Sequence, residues 1–112
     1  SDLGLIAPDH RLYSKNEKKP ITYSVVKTGI LGLSKYLSTY WPKKVRCNVM
    51  CPGGVKEAKL DSKFIKKVID RIPSGRMADK NEYQASVIYL MSDASSYLNG
   101  AIIPIDGGRT AW

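Results

Sequence analysis

Two side chains at helical spacing, Tyr23 and Lys27, are the residues of this sequence best placed to do chemistry. Four residues return to the same helix face, so the Lys27 ammonium falls beside the Tyr23 phenol. A phenol titrates at about 10 in water and a neighbouring cation favours the phenolate, which suits such a pair to give a proton to a carbonyl or take one from an alcohol. The spacing alone carries little weight: with seven tyrosines among 112 residues, Tyr-x-x-x-Lys arises by chance about 0.8 times. Tyr40 and Lys44 repeat it, but Pro42 lies between them and breaks the helix, so that pair does not share a face. Metal chemistry lacks ligands, since Cys47, Cys51 and the single histidine, His10, do not make up a set. With an extended chain between them the two cysteines lie about 13 Å apart, against a limit of ~7 Å for a disulfide. Both are therefore expected as buried, reduced thiols.

The elements that must position Tyr23 and Lys27 follow from periodicity. Residues 1 to 21 mix Gly4, Pro8, Asp9, Asn16 and Pro20 with lysines and show no sustained period, so they read as a long loop. From Thr22 to about Tyr40, Val26, Ile30, Leu33 and Leu37 recur at the three-and-four spacing of a helix with one buried face, with Thr22 as N-cap and Pro42 as the stop. Gly29 and Gly32 each cost about 1 kcal/mol relative to alanine inside a helix, which implies that something approaches that face closely. Val45–Met50 reads as a short strand ended by the turn Cys51-Pro52-Gly53-Gly54. Residues 60 to 72 place Leu60, Phe64, Ile65, Val68, Ile69 and Ile72 on one stripe of a second helix. Asp79 and Glu82 resemble a capping box that opens a third helix through Met91. Ala101–Ile105 is a second strand, placed at a sheet edge because Pro104 has no amide donor. Helix, strand, helices, strand is the rhythm of a parallel α/β sheet, and two short strands are only part of one.

Around Tyr23 and Lys27, the run TYSVVKTGILGLSK followed by VRCNVMCPGGV resembles the active-site helix and following strand of the short-chain dehydrogenase/reductase family. Gly75-Arg76-Met77, Glu82, the run from Tyr89 to Gly100, and Ile105-Asp106-Gly107-Gly108 are similar to that family's closing segment in order and spacing. The resemblance implies the C-terminal portion of a Rossmann-like, doubly wound parallel sheet, spanning residues 1 to 112 as the catalytic part of one domain whose nucleotide-binding half is not in this sequence. It implies an NAD(P)-dependent oxidoreductase acting on a small carbonyl or alcohol, with Tyr23 as acid/base and Lys27 as tuner of Tyr23 and ligand of the nicotinamide ribose. Ser1-Asp2-Leu3-Gly4 resembles the family's Ser-x-x-Gly, which makes Ser1 the candidate partner of the reacting carbonyl, although the Ser-to-Tyr interval is longer than usual. Residues 9 to 20 resemble an insertion lining the substrate entrance, and Pro52, Gly53 and Val55 match the loop laid against the nicotinamide. Glu57 stands where the family often has a pyrophosphate-binding threonine, so that contact lacks its residue. No glycine-rich turn and no residue selecting NAD over NADP is found, so the 112 residues alone are expected to be inactive.

Composition bounds the alternatives. An apolar share of 43% and a charged share of 25% are those of a globular domain. The formal charge of +8 is spread from Arg11 to Arg109, a solvated surface rather than a nucleic-acid patch. No apolar run approaches the roughly 18 residues of a membrane span and the first residues have no signal-peptide pattern, so the expected compartment is the cytoplasm, with neither nucleic acid nor membrane as a partner. Unpaired strand edges and uncovered helix faces point to a homo-oligomer, with a symmetric dimer through residues 22 to 41 as the expected form. A non-catalytic, truncated α/β protein that self-associates is the alternative function.

Overall fold

The computed structural model describes residues 1–112. Its first twenty residues, expected to be loop, contain two single 3-10 turns, Asp2–Gly4 and His10–Leu12. Each is capped from its own sequence: the Ser1 hydroxyl accepts from the Leu3 amide at 3.2 Å, and the Asp9 carboxylate accepts from the Arg11 amide at 3.0 Å. Helix α1 spans Ile21–Tyr40. It starts one residue before Thr22, directly after Pro20, whose fixed φ of −56° leads into the helix and whose carbonyl accepts the Tyr23 amide at 3.0 Å. Thr22 therefore lies in the first turn and is not the cap.

The expected buried stripe of α1 faces outward in this chain. Val26, Ile30 and Leu33 are 55%, 39% and 54% exposed, whereas Ser34 is buried and Tyr23, Lys27, Leu31 and Leu37 are half-buried. The reason is the docking partner: α1 packs through its Tyr23–Lys27 side onto the Asp2–Gly4 turn and the first strand. At Gly4 a Cβ would lie 2.7 Å from the Lys27 carbonyl oxygen, so only glycine allows this approach. Gly29 and Gly32 have no atom within 4 Å of the corresponding positions, so nothing in this chain makes the close approach expected there.

Strand β1, Val49–Pro52, pairs in parallel with β2, Ile102–Ile105, in the register Val49 to Ile102 through Pro52 to Ile105. The strand begins four residues later than Val45 and runs through Cys51 and Pro52, which were expected to turn. Side chains explain the slip. Residues 46 to 48 are held by groups other than a ladder: the Arg46 guanidinium donates to the carbonyls of Leu98, Leu90 and Ser92, the Cys47 amide donates to Asn99 Oδ1 at 2.8 Å, and Asn48 bridges Leu98 and Ala101. Regular pairing begins only where the Val49 amide meets the Ala101 carbonyl at 2.9 Å, and it continues to the Gly53 amide on Ile105. That alternation turns the donor-less nitrogen of Pro104 away from β1, onto the open edge of β2.

Helix α2, Ser62–Ile69, is shorter than residues 60 to 72 because Asp61 caps it, accepting from the Phe64 amide at 2.9 Å, and because the chain turns after Asp70 toward Pro73. Its apolar stripe buries Val68 against Leu12, Ile72 and Met77, with Phe64, Ile65 and Ile69 around them. Helix α3, Gln84–Met91, is preceded by a 3-10 turn at Lys80–Tyr83. Glu82 reaches back to the Asp79 amide at 2.8 Å, the return half of the expected capping box. Both cysteines are free, and Cys51 is fully buried. No helix is long and apolar enough to cross a membrane.

Candidate active site

Three separated segments converge on a cavity of about 170 Å³ whose wall includes Ser1, Tyr13, Lys19, Tyr23, Pro52 and Gly53. The 3-10 turn after Ser1 holds the first segment against α1. There the Tyr23 hydroxyl donates to Ser1 Oγ at 3.3 Å, and the Thr28 hydroxyl donates to the Gly4 carbonyl at 3.3 Å one turn further along. The long Ser-to-Tyr interval therefore does not separate the two hydroxyls, because residues 9 to 20 loop out and return. Lys27, four residues after Tyr23, places its ammonium 5.3 Å from the centre of the Tyr23 ring. The second segment, at the end of β1, brings Pro52 and Gly53 to the opposite wall. Gly53 has a local reason to be glycine, since a Cβ would lie 2.8 Å from the Asp106 Cα, and its carbonyl accepts the Tyr83 hydroxyl at 3.1 Å. Val55 is not in this wall. It forms an isolated parallel bridge with Ala78, flanked by the Ala78 amide on the Gly54 carbonyl at 3.0 Å.

The looped-out segment contributes walls of its own. Leu12 is buried in the cluster with Val68, Ile72 and Met77, and Tyr13 lies against the Phe64 ring with centroids 6.0 Å apart. Asp9 is clamped by Arg11 and Arg71; the hydrogen bonds from Arg11 first and Arg71 second hold its carboxyl well below the usual carboxylate range. Burial pushes the Tyr13 phenol up, so it stays a neutral hydrogen-bond donor at ordinary pH.

Several contributors were not singled out from sequence. Asp2, next to Ser1, accepts a contact from the Ser1 hydroxyl at 3.3 Å and pairs with Arg109 at 3.0 Å. Both partners are almost wholly buried, with side chains 4% and 10% exposed, so a residue after β2 anchors the turn that holds Ser1. Nothing in the local pattern of Asp2 or Arg109 announces a contact across 107 positions. Lys19 lies before Pro20 and outside α1, so its spacing to Tyr23 carries no helical signal, yet its ammonium lies 4.4 Å from the Tyr23 ring centre.

This wall can serve the reacting end of a dinucleotide and a small carbonyl or alcohol, with two hydroxyls within hydrogen-bond distance, a cation beside the phenol, and the half-buried Pro52 and Gly53 facing them. No group of three metal-ligating His, Cys, Asp or Glu side chains occurs.

Comparison with known proteins places this architecture. The family described as enoyl-(acyl carrier protein) reductase matches residues 11–110. The 2-keto-3-deoxy-L-fuconate dehydrogenase of Xanthomonas campestris is 39% identical over 97 residues, covering 77% of this chain and 32% of the relative. The NADP-dependent mannitol dehydrogenase of Hypocrea jecorina is 38% identical over 92 residues, covering 80% of this chain and 35% of the relative. The chain thus spans about a third of the length of these relatives. Among solved structures, the short-chain dehydrogenase of Leptospira borgpetersenii with bound NAD+ superposes with a TM-score of 0.89 at 36% identity, over 98% of this chain and 42% of that one. The α/β architecture is therefore Rossmann-like, and the chain belongs to the short-chain dehydrogenase/reductase family.

Proposed function

We propose that this chain carries the proton-transfer part of an NAD(P)-dependent oxidoreductase that interconverts a small carbonyl and its alcohol. The observation that carries the reading is the 3.3 Å hydrogen bond between the Tyr23 and Ser1 hydroxyls at the wall of one cavity, with Lys27 beside the phenol. A substrate oxygen seated between the two hydroxyls accepts a hydrogen bond from each. In the reducing direction Tyr23 gives its proton to that oxygen as the carbonyl carbon gains a hydride; in the oxidising direction the proton returns to Tyr23. When bound, the nicotinamide supplies or accepts that hydride. Lys27 balances the charge left on the Tyr23 oxygen and reaches the ribose beside it, while backbone groups of the Pro52–Val55 loop orient the ring's carboxamide. The bridge of Val55 to Ala78 runs through the Gly54 carbonyl and the Lys56 amide, so the Val55 N–H and C=O stay free for that contact. The dinucleotide's phosphates and the choice between NAD and NADP fall to residues outside these 112, which leaves this stretch as the catalytic part of the domain and inactive by itself.

The test is Tyr23→Phe in the natural full-length protein. General acid and base groups contribute about 10²- to 10⁴-fold, so turnover falls by that order while the dinucleotide still binds with its original affinity. Turnover within a few-fold of the original removes Tyr23 as proton donor and with it the reading. The substrate is a small molecule, and the two free thiols fit a reducing compartment such as the cytoplasm. We further assign the exposed apolar side of α1, where Gly29 and Gly32 are unobstructed, to a symmetric contact with a second copy of the protein. Light scattering of the full-length protein then gives at least twice the mass of one chain, and Ile30→Asp halves it.

A further inference from the structure

We propose that the cavity takes substrates through a carboxylate, with Lys19 as the anion-binding residue; the inference rests on reading the Ser1–Tyr23 end of the cavity as the reacting end. Lys19 lies on the looped-out segment and its ammonium sits 4.4 Å from the centre of the Tyr23 ring, half-buried in the cavity wall. The charges around it are already matched to one another. Asp2 is paired with Arg109, and Asp9 with Arg11 and Arg71. Neither acid is available to Lys19, which enters no ion pair. Lys27 is equally without a carboxylate and lies 5.3 Å from the same ring. Lys27 does not line the cavity, so Lys19 is the one cation of its wall left without a carboxylate, the wall's other charges being matched in pairs, and a small anion in the cavity supplies the missing counter-ion.

The site is held in place. Pro20 fixes the chain immediately after Lys19, the Asp9–Arg71 pair ties the start of the segment to the end of α2, and Leu12 roots it in the core. Tyr13, a neutral donor in the same wall, adds a hydrogen bond that an anionic oxygen accepts. A hydroxy or oxo acid small enough for the cavity places its reacting oxygen at Ser1 and Tyr23 and its carboxylate toward Lys19. A neutral polyol of the same length leaves the ammonium without a partner.

The discriminating probes are D-gluconate and D-glucitol, which share a carbon skeleton and differ by the carboxylate. Calorimetric titration of the full-length protein with its dinucleotide is expected to show gluconate binding at least ten-fold more tightly than glucitol. Lys19→Met, which keeps the apolar stem, brings gluconate down to the level of glucitol, and Lys19→Arg restores most of the difference. Equal binding of the two probes by the original protein, failure of both to bind, or a preference that survives Lys19→Met overturns the assignment. If Lys19 served only to hold the Tyr23 ring, both probes would weaken together in Lys19→Met, and that outcome also overturns it. Failure of the oxidoreductase reading is seen separately, in Tyr23→Phe turnover, because the anion preference is read from binding.

Discussion

Gly4→Ala is the substitution that most directly tests whether the contact between the first turn and α1 builds the site. An added Cβ would meet the Lys27 carbonyl oxygen at 2.7 Å and its carbon at 3.1 Å. Comfortable separation for such atoms is about 3.5 Å, so the two elements must part by roughly 0.8 Å. The obstacle is helix backbone, which cannot rotate aside. Overpacking of this kind costs about 1–3 kcal/mol, offset by roughly 0.4–1 kcal/mol because alanine restricts the unfolded chain, leaving a net loss of about 1–2 kcal/mol. The same displacement carries Ser1 away from Tyr23, whose hydroxyls are already 3.3 Å apart. Misplacement by about 1 Å is worth on the order of 100-fold in rate. Urea unfolding and steady-state turnover of the full-length protein measure the two effects independently. An unfolding free energy unchanged within error, together with turnover within two-fold, would refute the argument that this glycine sets the spacing of the Ser1 and Tyr23 hydroxyls.

Other consequences can be measured in the same way. Arg109→Met leaves Asp2 buried without its partner and is expected to cost about 3–5 kcal/mol in urea unfolding, while Asp2→Asn combined with it recovers much of the loss; equal losses in the single and double variants count against the pair. Glu82 is held down to about 2 by hydrogen bonds, from the Arg76 side chain first and then the Asp79 amide. A depressed carboxylate stabilises the fold above its unfolded value of about 4.3 and loses that contribution as pH falls toward 2, so Glu82→Gln should flatten the melting temperature across that window, and an unchanged acid limb speaks against it. The 112 residues by themselves should bind NAD and NADP only weakly, since nothing in their sequence resembles the glycine-rich turn that cradles a pyrophosphate; a micromolar dissociation constant by calorimetry would show that such a cradle exists here.

What could be read from the sequence depended on how local each feature is. The Tyr23–Lys27 pair and the Asp79–Glu82 box are set within four residues, and spacing shows them; the Asp61 cap is equally local but lies inside the stretch read as helix, where it was not singled out. The side of α1 that faces the rest of the chain was misread because periodicity locates an apolar stripe without saying what lies opposite it. A polar stripe carrying Tyr23, Lys27 and Ser34 faces inward here because the Asp2–Gly4 turn and β1 pack against that side of the helix. The start of β1 was misplaced because Arg46 and Asn48 replace a ladder with side-chain hydrogen bonds, which β-propensity does not register. The Asp2–Arg109 pair spans nearly the whole chain, and no local pattern could have joined its ends.

Packing gives the looped-out segment a larger part than its irregular sequence suggests. Only 12 of 112 residues are buried, and the radius of gyration of 15.7 Å exceeds the roughly 13 Å of a compact domain this size, so most elements have an uncovered side. Two places are exceptions: the cluster of Leu12, Val68, Ile72 and Met77, where residues 9 to 20 meet α2, and the buried Asp2–Gly4 turn, which packs on β1 near Cys51 and pairs with Arg109. Regions dense in buried contacts open least often, whereas α3 has no buried residue and should open first. Leu12 and the Asp9–Arg71 pair therefore anchor the near end of the segment that carries Tyr13 and Lys19. A charged group held in place before a ligand arrives loses little freedom on binding, which is the condition under which one lysine can discriminate an acid from its alcohol.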